Sequence, residues 1–431
     1  MALTILATGD IHIGKKSSSI KQNAEEGATK HTWNRIVDYA IDNMIDVLAL
    51  TGDIVDQDNR YFEAIGPLQF GFEKLKKSGI AVYMVAGNHD FDVLTQLVDS
   101  QKYENIHLLG ANGIWEMKEF SKNDEKIQFL GWSFPKRHVS EDPFLEFEAS
   151  KIDPNITTIG LLHGEVGVLD SKYAPIDLNS FMYHPVQAWI LGHIHKPQIL
   201  NKSEPIVYYP GSPHALSAKE DGIHGPILLT IRSQKDIQIE HIPLSPVRYE
   251  SLSIDITDKT DEASVRDAVT SKLLEDAQSK IMELDKVHFL IYDITLKGQH
   301  SKIRDLEAWV SPIIDDYEQE IDATETKVYV RKILVDVQPK VENMEELAQE
   351  SSPAGVLAET ILALQKGETT DFADSLLKEW KPVRDSIQQS GTYLALRTTD
   401  RFEIDSDQES QQYILSECNR ILTKLIEQQN Q

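Results

Sequence analysis

Seven side chains in the first half of the sequence have the chemistry of ligands for divalent metal ions. They are two aspartates, one asparagine and four histidines: Asp10, His12, Asp53, Asn88, His163, His193 and His195. Carboxylate, amide and imidazole donors without a thiolate suit Mn²⁺, Fe or Zn²⁺ better than Ca²⁺ or a structural zinc cage. Seven donors are too many for one catalytic ion with an open position, but they suit two ions that share a bridging carboxylate.

A candidate proton donor belongs to the same pattern. His89 directly follows Asn88, and an imidazole can transfer a proton near neutral pH. We expect the next residue, Asp90, to orient this imidazole. Two metal ions roughly 3.5–4 Å apart can activate a hydroxide and stabilise the entering and leaving oxygens of a phosphoryl displacement. These residue types therefore indicate metal-assisted hydrolysis of a phosphate ester.

Short hydrophobic runs precede the candidate ligands and predict the strands that position them. Six runs have the pattern of strands: residues 3–8, 46–51, 80–85, 156–162, 188–191 and 206–209. The first five lead into candidate ligands, and the ligands of α/β sheets gather beyond the carboxyl ends of the strands. Residues 1–247 are therefore predicted to form a layered α/β domain that carries the site.

The pattern changes twice in the rest of the chain. Residues 248–341 predict a small α/β domain without a metal-ligand cluster, with strands at 251–256, 288–296 and 327–337 and helices at 261–284 and 303–317. Residues 342–431 are acidic and helical. The last helix has an apolar stripe at spacings of four and three: Ile414, Cys418, Ile421 and Leu425. These helices either pack on the body of the protein or form a docking arm for helices of a partner.

The composition is typical of a water-soluble globular protein of two or three domains. The chain has 431 residues, of which 41% are hydrophobic and 26% charged. We expect no membrane partner, because no apolar run can span a bilayer, and the N-terminus predicts a first strand instead of a signal peptide. Cys418 is the only cysteine. An internal disulfide is therefore excluded, which favours a reducing, cytoplasmic compartment.

The net charge of −26 argues against a protein that holds nucleic acid by its own basic surface. Either the substrate is not a long polyanion, or the basic surface is local or belongs to a partner. Two local clusters can meet a phosphate backbone, although solvated surface is the simpler interpretation of each residue alone. The clusters are Lys15, Lys16, Lys21, Lys30 and Arg35, and Lys136, Arg137 and His138.

Together the five motifs resemble the signatures of the calcineurin-like metallophosphoesterases. The motifs are Asp10-x-His12, Gly52-Asp53-x-x-Asp56, Gly87-Asn88-His89-Asp90, His163 and Gly192-His193-x-His195. The resemblance implies a two-sheet sandwich flanked by helices. It also implies one metal ion on Asp10, His12 and His195, and a second on Asn88, His163 and His193, with Asp53 bridging them. His89 is similar to the family histidine that stabilises the transition state or protonates the leaving oxygen, with Asp90 orienting it.

Shorter features resemble the DNA-repair exonuclease branch of this family, the Mre11/SbcD/YhaO-like nuclease subunits. They are Asp10-Ile11-His12-Ile13-Gly14, the turn Pro210-Gly211-Ser212-Pro213 and the appended α/β domain. This resemblance implies DNA as a substrate, a capping domain at 248–341, a homodimer, and C-terminal helices that bind a Rad50/SbcC-type ATPase. Archaeal and eukaryotic members often have His where this sequence has Asp56, whereas bacterial members commonly have Asp. A direct substrate role at this position therefore stays open.

Three functions follow from these patterns. The first is a DNA exonuclease or endonuclease that uses two divalent ions, with Mn²⁺ expected, to process DNA ends with an ATPase of the Rad50/SbcC type. The second is a metallophosphoesterase that acts on a small nucleotide or a phosphoprotein, which the acidic composition favours. The third is a non-enzymatic assembly subunit, against which the complete ligand set argues.

Overall fold

The computed structural model describes residues 2–18, 20, 25–56, 58, 64–101, 103–123, 125–340, 344–388 and 407–429. The chain divides into two compact units. The first comprises Met1–Ser251, Asp276–Asp293 and Tyr317–Arg331, and the second comprises Leu252–Glu275, Ile294–Asp316 and Lys332–Gln431. The described residues include no helix that is both long and apolar enough to cross a membrane.

The first unit contains a six-stranded sheet with the order β14-β13-β1-β2-β3-β4. Its strands are β1 (Leu3–Thr8), β2 (Val47–Thr51), β3 (Ala81–Val85), β4 (Ile106–Leu108), β13 (Ile227–Ser233) and β14 (Asp236–His241). Strands β1 to β4 are parallel, whereas β13 pairs antiparallel with β1 and with β14. The carboxyl ends of β1, β2 and β3 therefore meet at one edge.

A second six-stranded sheet has the order β11-β12-β10-β7-β6-β5. Its strands are β5 (Glu116–Lys122), β6 (Glu125–Trp132), β7 (Thr157–His163), β10 (Ala188–Gly192), β11 (Gln198–Asn201) and β12 (Ile206–Tyr209). Strands β6, β7, β10 and β12 are parallel, and β5 and β11 close the two sides antiparallel. A short pair, β8 (Glu165–Val166) and β9 (Pro175–Ile176), follows β7.

Alternate side chains of the central strands pack on opposite faces of the first sheet. In β2, Val47 and Ala49 face the second sheet, where Tyr83 stacks on Phe129 with ring centroids 4.1 Å apart. Leu48 faces the other way, towards helices α1 (Thr29–Asp42), α2 (Ile65–Lys77) and α3 (Phe91–Gln101). Both faces are buried, which explains why the parallel strands are continuous hydrophobic runs. The predicted two-sheet sandwich flanked by helices is confirmed.

A four-stranded sheet follows, with the order β15-β16-β19-β18. Its strands are β15 (Val247–Asp255), β16 (Phe289–Lys297), β18 (Glu318–Ile321) and β19 (Thr326–Val335), and its helices are α4 (Glu262–Ser279) and α5 (Ile303–Asp316). A short parallel pair, β17 (Gln299–His300) and β20 (Gln338–Pro339), accompanies it. The predicted domain limits at 248 and 342 stay predictions.

The C-terminal segment consists of helices: α6 (Met344–Leu347), α7 (Pro353–Gln365), α8 (Asp371–Gln388) and α9 (Asp407–Gln429). Helices α7 and α9 share an apolar core that includes Ile361, Ile414 and Cys418. The third core position of α9 is Leu422, which is fully buried, whereas the predicted Ile421 is 41% exposed. A straight α-helix keeps a period of 3.6 residues, so its core stripe drifts from the heptad spacing.

Candidate metal centre

The candidate ligands lie beyond the carboxyl ends of five strands, three from the first sheet and two from the second. Strands β1, β2 and β3 lead to Asp10 and His12, to Asp53 and to Asn88, while β7 ends at His163 and β10 leads to His193 and His195. Backbone hydrogen bonds tie the first two loops together, from Asp10 N–H to the Gly52 carbonyl (2.9 Å) and from His12 N–H to the Asp53 carbonyl (3.0 Å). The β3 loop approaches just as closely, because a Cβ atom on Gly87 would lie 2.2 Å from Oδ1 of Asp53.

Backbone strain is concentrated at these loops. Nine described residues other than glycine have positive φ, and four of them are candidate ligands: Asp10 (51°), His12 (48°), Asp53 (50°) and His193 (101°). This region of backbone space is unfavourable for residues with a Cβ, and such strain persists where the surrounding structure and a function require it. The fold therefore holds these side chains in positions that relaxed loops would not provide.

Asp10, His12 and His195 form the first group, with one donor atom of each within 4.8 Å of the others. His195 Nδ1 donates a hydrogen bond to Oε1 of Glu220 at 2.8 Å, so its Nε2 carries the lone pair. This Nε2 lies 3.1 Å from Nε2 of His12. Two ring nitrogens that face each other at this distance need a proton or a cation between them.

The second group forms around His163. Its Nδ1 donates to the carbonyl oxygen of Thr51 at 2.9 Å, so Nε2 faces Oδ1 of Asn88 (3.1 Å) and Oδ2 of Asp53 (3.5 Å). The ring of His193 packs edge-on against that of His163, with centroids 5.3 Å apart. When Nε2 of His163 carries no proton, three electron-pair donors converge at this point. This donor set fits a divalent cation.

The electrostatics of the protein groups also favour positive charge at this point. Burial would lower the pKa of His163, but the carboxylate of Asp53 outweighs it and raises that pKa to about 9. Burial would raise the pKa of Asp53, yet the charge and hydrogen bonding of His163 bring it below its usual range. Burial raises the pKa of Asp10. A proton on His163 therefore balances buried carboxylate charge, which is the role that a divalent cation would take over.

His89 lies at the open side of this cluster, with 27% of its side chain exposed. Its Nε2 is 3.9 Å from Oδ2 of Asp53, and its backbone N–H donates to Oδ1 of the same aspartate at 2.8 Å. Its Nδ1 is buried, has no hydrogen-bond partner among the described residues and lies 3.8 Å from Oδ1 of Asp56. His89 is thus a partly exposed imidazole that can contact a substrate and lies beside the carboxylate of Asp53.

The structure corrects the predicted role of Asp90. The carboxylate of Asp90 is fully buried and accepts hydrogen bonds from the backbone N–H groups of Ile54 (2.6 Å), Val55 (3.2 Å) and Gly87 (2.8 Å). Burial, together with the nearby charge of Asp53, raises its pKa to about 7. Asp90 therefore fastens the β2 loop to the β3 loop instead of orienting the His89 ring.

Asp56 is the carboxylate that faces the two imidazoles. Its Oδ1 lies 3.6 Å from Nδ1 of His12, 3.8 Å from Nδ1 of His89 and 2.9 Å from Nζ of Lys15. Burial would raise the pKa of Asp56, but the neighbouring His12 ring and the ion pair with Lys15 lower it. The sequence left the role of Asp56 open. In the structure its carboxylate lies beside the ring of His89.

Most of the predicted basic residues near the first motif already have partners. Lys15 pairs with Asp56, and Lys16 and Lys30 both pair with Glu25. Arg35 donates to the carbonyl oxygens of Leu244 and Lys286, and Lys21 lies outside the described residues. Lys136, Arg137 and His138 are exposed. The ring of His138 packs on Tyr173, which packs on His193. The second cluster therefore lies at the rim of the centre.

Comparison with known families agrees with this geometry. Residues 3–197 match the family model described as calcineurin-like phosphoesterase, and this segment contains all seven candidate ligands. Residues 3–197 are thus similar to the calcineurin-like phosphoesterases, a family that uses a dinuclear divalent metal centre. The assignment of each side chain to one of the ions stays a prediction.

Individual relatives carry related names. The uncharacterized metallophosphoesterase YhaO of Bacillus subtilis (strain 168) is 28% identical over 288 residues, which is 65% of this chain and 68% of that protein. Among solved structures, a dimetal phosphatase from Danio rerio is 13% identical and covers 55% of this chain and 98% of its own, with a TM-score of 0.36. An archaeal phosphodiesterase is 12% identical and covers 56% of this chain and 100% of its own, with a TM-score of 0.28.

Proposed function

We propose that this protein is a two-metal phosphodiesterase that cleaves DNA at ends, as the nuclease subunit of an assembly with a Rad50/SbcC-type ATPase. The observation that carries the hydrolytic part is the cluster of imidazole nitrogens of His12, His195 and His163, each within 4.0 Å of a buried carboxylate oxygen of Asp10 or Asp53. The DNA part is supported by the resemblance of the motifs and of the appended α/β domain to the repair exonucleases.

The residues of the centre have separate tasks in this reaction. When bound, two divalent ions supply an activated water and neutralise charge on the phosphoryl oxygens. Asp10, His12 and His195 would hold one ion, and Asn88, His163 and His193 would hold the other, with the buried carboxylate of Asp53 shared between the two groups. The strained loops keep these donors in place before substrate arrives, so little reorganisation is needed in the transition state.

His89 donates a proton to the leaving oxygen. Its Nε2 faces the metal ligands, and its Nδ1 faces the carboxylate of Asp56 at 3.8 Å. In the protonated ring the Nδ1 proton faces Asp56, and the Nε2 proton is transferred to the leaving 3′-oxygen, which leaves His89 neutral. The product of this step is a 5′-phosphate.

The C-terminal helices support the proposed ATPase partner. Helices α8 and α9 border an apolar groove of about 310 Å³. The groove is lined by Phe372, Leu376, Trp380, Tyr413 and Ile421, among others. Tyr413 is 61% exposed and Ile421 41% exposed, although both are large and apolar. Exposed apolar patches of this kind mark interaction surfaces, and we expect a coiled-coil segment of the ATPase to occupy this groove.

A partner of this kind also accounts for the acidity of the chain. With a net charge of −26, the protein does not attract a DNA backbone as a whole. The ATPase would supply the basic surface that binds DNA. The exposed Lys136 and Arg137 would contact phosphate groups at the rim of the metal centre. A homodimer, which the resemblance implies, would place two such centres in one assembly.

The alternative is a phosphoesterase for a small nucleotide or a phosphoprotein, which the acidic composition favours. One assay separates the two functions: Mn²⁺-dependent cleavage of end-labelled linear duplex DNA, next to a chromogenic small phosphodiester. Cleavage of DNA by the chain, alone or with its ATPase, supports the nuclease. Turnover of the small diester alone, even with the ATPase present, would contradict it.

The variant His89→Ala tests the proton transfer. We expect the rate of cleavage to fall by about 10²–10⁴-fold, the usual contribution of general acid–base catalysis, while both metal ions stay bound. His89→Asn keeps the polar shape without the titrating ring and should be equally slow. An unchanged rate in either variant would refute the role of His89.

A further inference from the structure

Glu220 contacts the metal centre although no motif includes it. It lies beyond strands β11 and β12 in the sequence, and its Oε1 accepts the hydrogen bond of His195 Nδ1 at 2.8 Å. The side chain of Glu220 is only 13% exposed, so this carboxylate is largely shielded from water.

We propose that Glu220 is a positioning residue that fixes the tautomer and orientation of His195 and thereby sets the affinity of the metal site formed by Asp10, His12 and His195. The inference rests on the two-metal centre of the proposed function. Ligand histidines commonly donate their second ring N–H to a carboxylate, which fixes the lone pair on the other nitrogen and increases its basicity.

Glu220 is itself held rigidly enough to orient a ligand. Its Oε2 accepts from the backbone N–H of Leu216 at 2.7 Å, and its carbonyl oxygen lies 3.1 Å from Nε2 of His224. The other nitrogen of His224 lies 2.7 Å from the carbonyl oxygen of Ser212, whose N–H donates to the carbonyl oxygen of His195 at 2.8 Å. The loop that carries Glu220 is therefore fastened to the segment that carries His195.

The effect should be confined to one of the two ions. His163, a ligand of the second group, is oriented by the carbonyl oxygen of Thr51, which is backbone. His195 is oriented by a side chain that a substitution can remove. Truncation of Glu220 should therefore weaken the Asp10, His12 and His195 site and leave the His163 site unchanged.

The test is a titration of the full chain with Mn²⁺, followed by calorimetry and by electron paramagnetic resonance. In wild type we expect two ions and, at saturation, the spectrum of an exchange-coupled Mn²⁺ pair. Glu220→Ala should raise one dissociation constant about 10–100-fold. At intermediate Mn²⁺ it should then show the six-line spectrum of a single ion. Glu220→Gln, which retains an accepting oxygen without the charge, should lie between the two.

Asp221→Asn is the matched control. Asp221 is the next residue, and its carboxylate binds Nζ of Lys196 at 2.9 Å, with 43% of its side chain exposed. The substitution removes the same negative charge from the same loop without touching the imidazole. We expect both Mn²⁺ dissociation constants to stay within twofold of wild type.

The inference is overturned if Glu220→Ala leaves both dissociation constants within twofold of wild type, because the hydrogen bond would then not affect metal binding. It is also overturned if both constants rise equally, or if Asp221→Asn weakens one site as strongly, because the effect would be structural or purely a matter of charge. Wild type that binds no Mn²⁺ would overturn the proposed function itself. The two failures are therefore distinguishable.

Discussion

The metal centre and the C-terminal helices depart from the usual distribution of residues in opposite ways. In the centre, Asp10, Asp53 and Asp56 are at most 2% exposed, although carboxylates are rarely buried without partners. In the helical segment, Tyr413 is 61% exposed and Val383 51% exposed, although both are apolar or aromatic. A buried charge cluster is stabilised by cations, and an exposed apolar groove is covered by apolar surface.

The two regions also differ in how precisely their residues specify the ligand that they would bind. The donor atoms of the centre, their spacing and their fixed tautomers select a divalent ion, because few other species accept so many lone pairs at once. The groove specifies only shape and apolar character, which many helices satisfy. The chemistry of the first region can therefore be stated from this chain alone, whereas the partner of the second needs a binding measurement.

The largest expected effect is in the centre. Asp53→Asn removes the carboxylate that lies between the two groups, with nearly unchanged shape. We expect phosphodiester cleavage to fall at least about 1000-fold, equivalent to about 4 kcal/mol of transition-state stabilisation. We also expect Mn²⁺ to raise the melting temperature less than in wild type, because ligand binding stabilises only the state that binds it. Both effects are measured on the purified chain with Mn²⁺ and with a chelator.

The control for this variant is Asp38→Asn, which removes the same charge from α1. Asp38 pairs with Lys74 on the surface, where both side chains are at least 37% exposed. Its rate and its response to Mn²⁺ should match wild type. A wild-type rate in Asp53→Asn would show that the bridging position does not hold an ion.

The candidate ligands could be predicted because the local sequence shows both the type of each residue and its position directly after a hydrophobic run. Hydrophobic runs that end in Asp, Asn or His fix which side chains reach the edge of the sheets. Strand β1 has the predicted bounds, Leu3–Thr8, as does β12, Ile206–Tyr209. The structure brings the seven donors together, although their roles as ligands stay predictions.

Contacts that depend on tertiary structure could not be predicted. Glu220 lies in a loop, and no motif or residue spacing in the sequence marks it as part of the site. Its hydrogen bond to His195 exists only after the intervening strands have formed. Asp90 is adjacent to His89 in sequence, but its carboxylate satisfies three backbone N–H groups, so adjacency predicted the wrong contact. Strands β5 and β6 were missed, because their runs do not end in residues with site chemistry.

A smaller effect is expected in the groove. Trp380 stacks on Tyr413 with ring centroids 6.2 Å apart, and it is 36% exposed. Trp380→Ala should weaken binding of a coiled-coil segment of an SbcC-type ATPase by about 30-fold or more, because buried aromatic anchors contribute about 2 kcal/mol or more at interfaces. Calorimetric titration measures this affinity, and turnover of a small phosphodiester should not change.

Lys378→Ala truncates an exposed side chain of the same helix, outside the residues that line the groove, and should keep wild-type affinity. Equal affinities for Trp380→Ala and wild type would mean that the groove is not the docking site. The buried centre would then be the only one of the two regions with an assigned ligand.

The smallest expected effect concerns the stability of the helices without any ligand. Ser352 Oγ accepts a hydrogen bond from the N–H of Gly355 at 3.0 Å and caps α7, which begins at Pro353. Ser352→Ala should reduce protection of residues 353–365 in amide hydrogen exchange by about 1 kcal/mol, the usual value of such a cap. Ser375→Ala is the matched control, because Ser375 lies inside α8 and its hydroxyl donates to the carbonyl oxygen of Phe372 in the same helix. Alanine is the better helix former there, so protection should not fall. If Mn²⁺ restored the protection lost in Ser352→Ala, the stability of the helices would depend on metal binding at the centre. The two regions would then not be independent of each other.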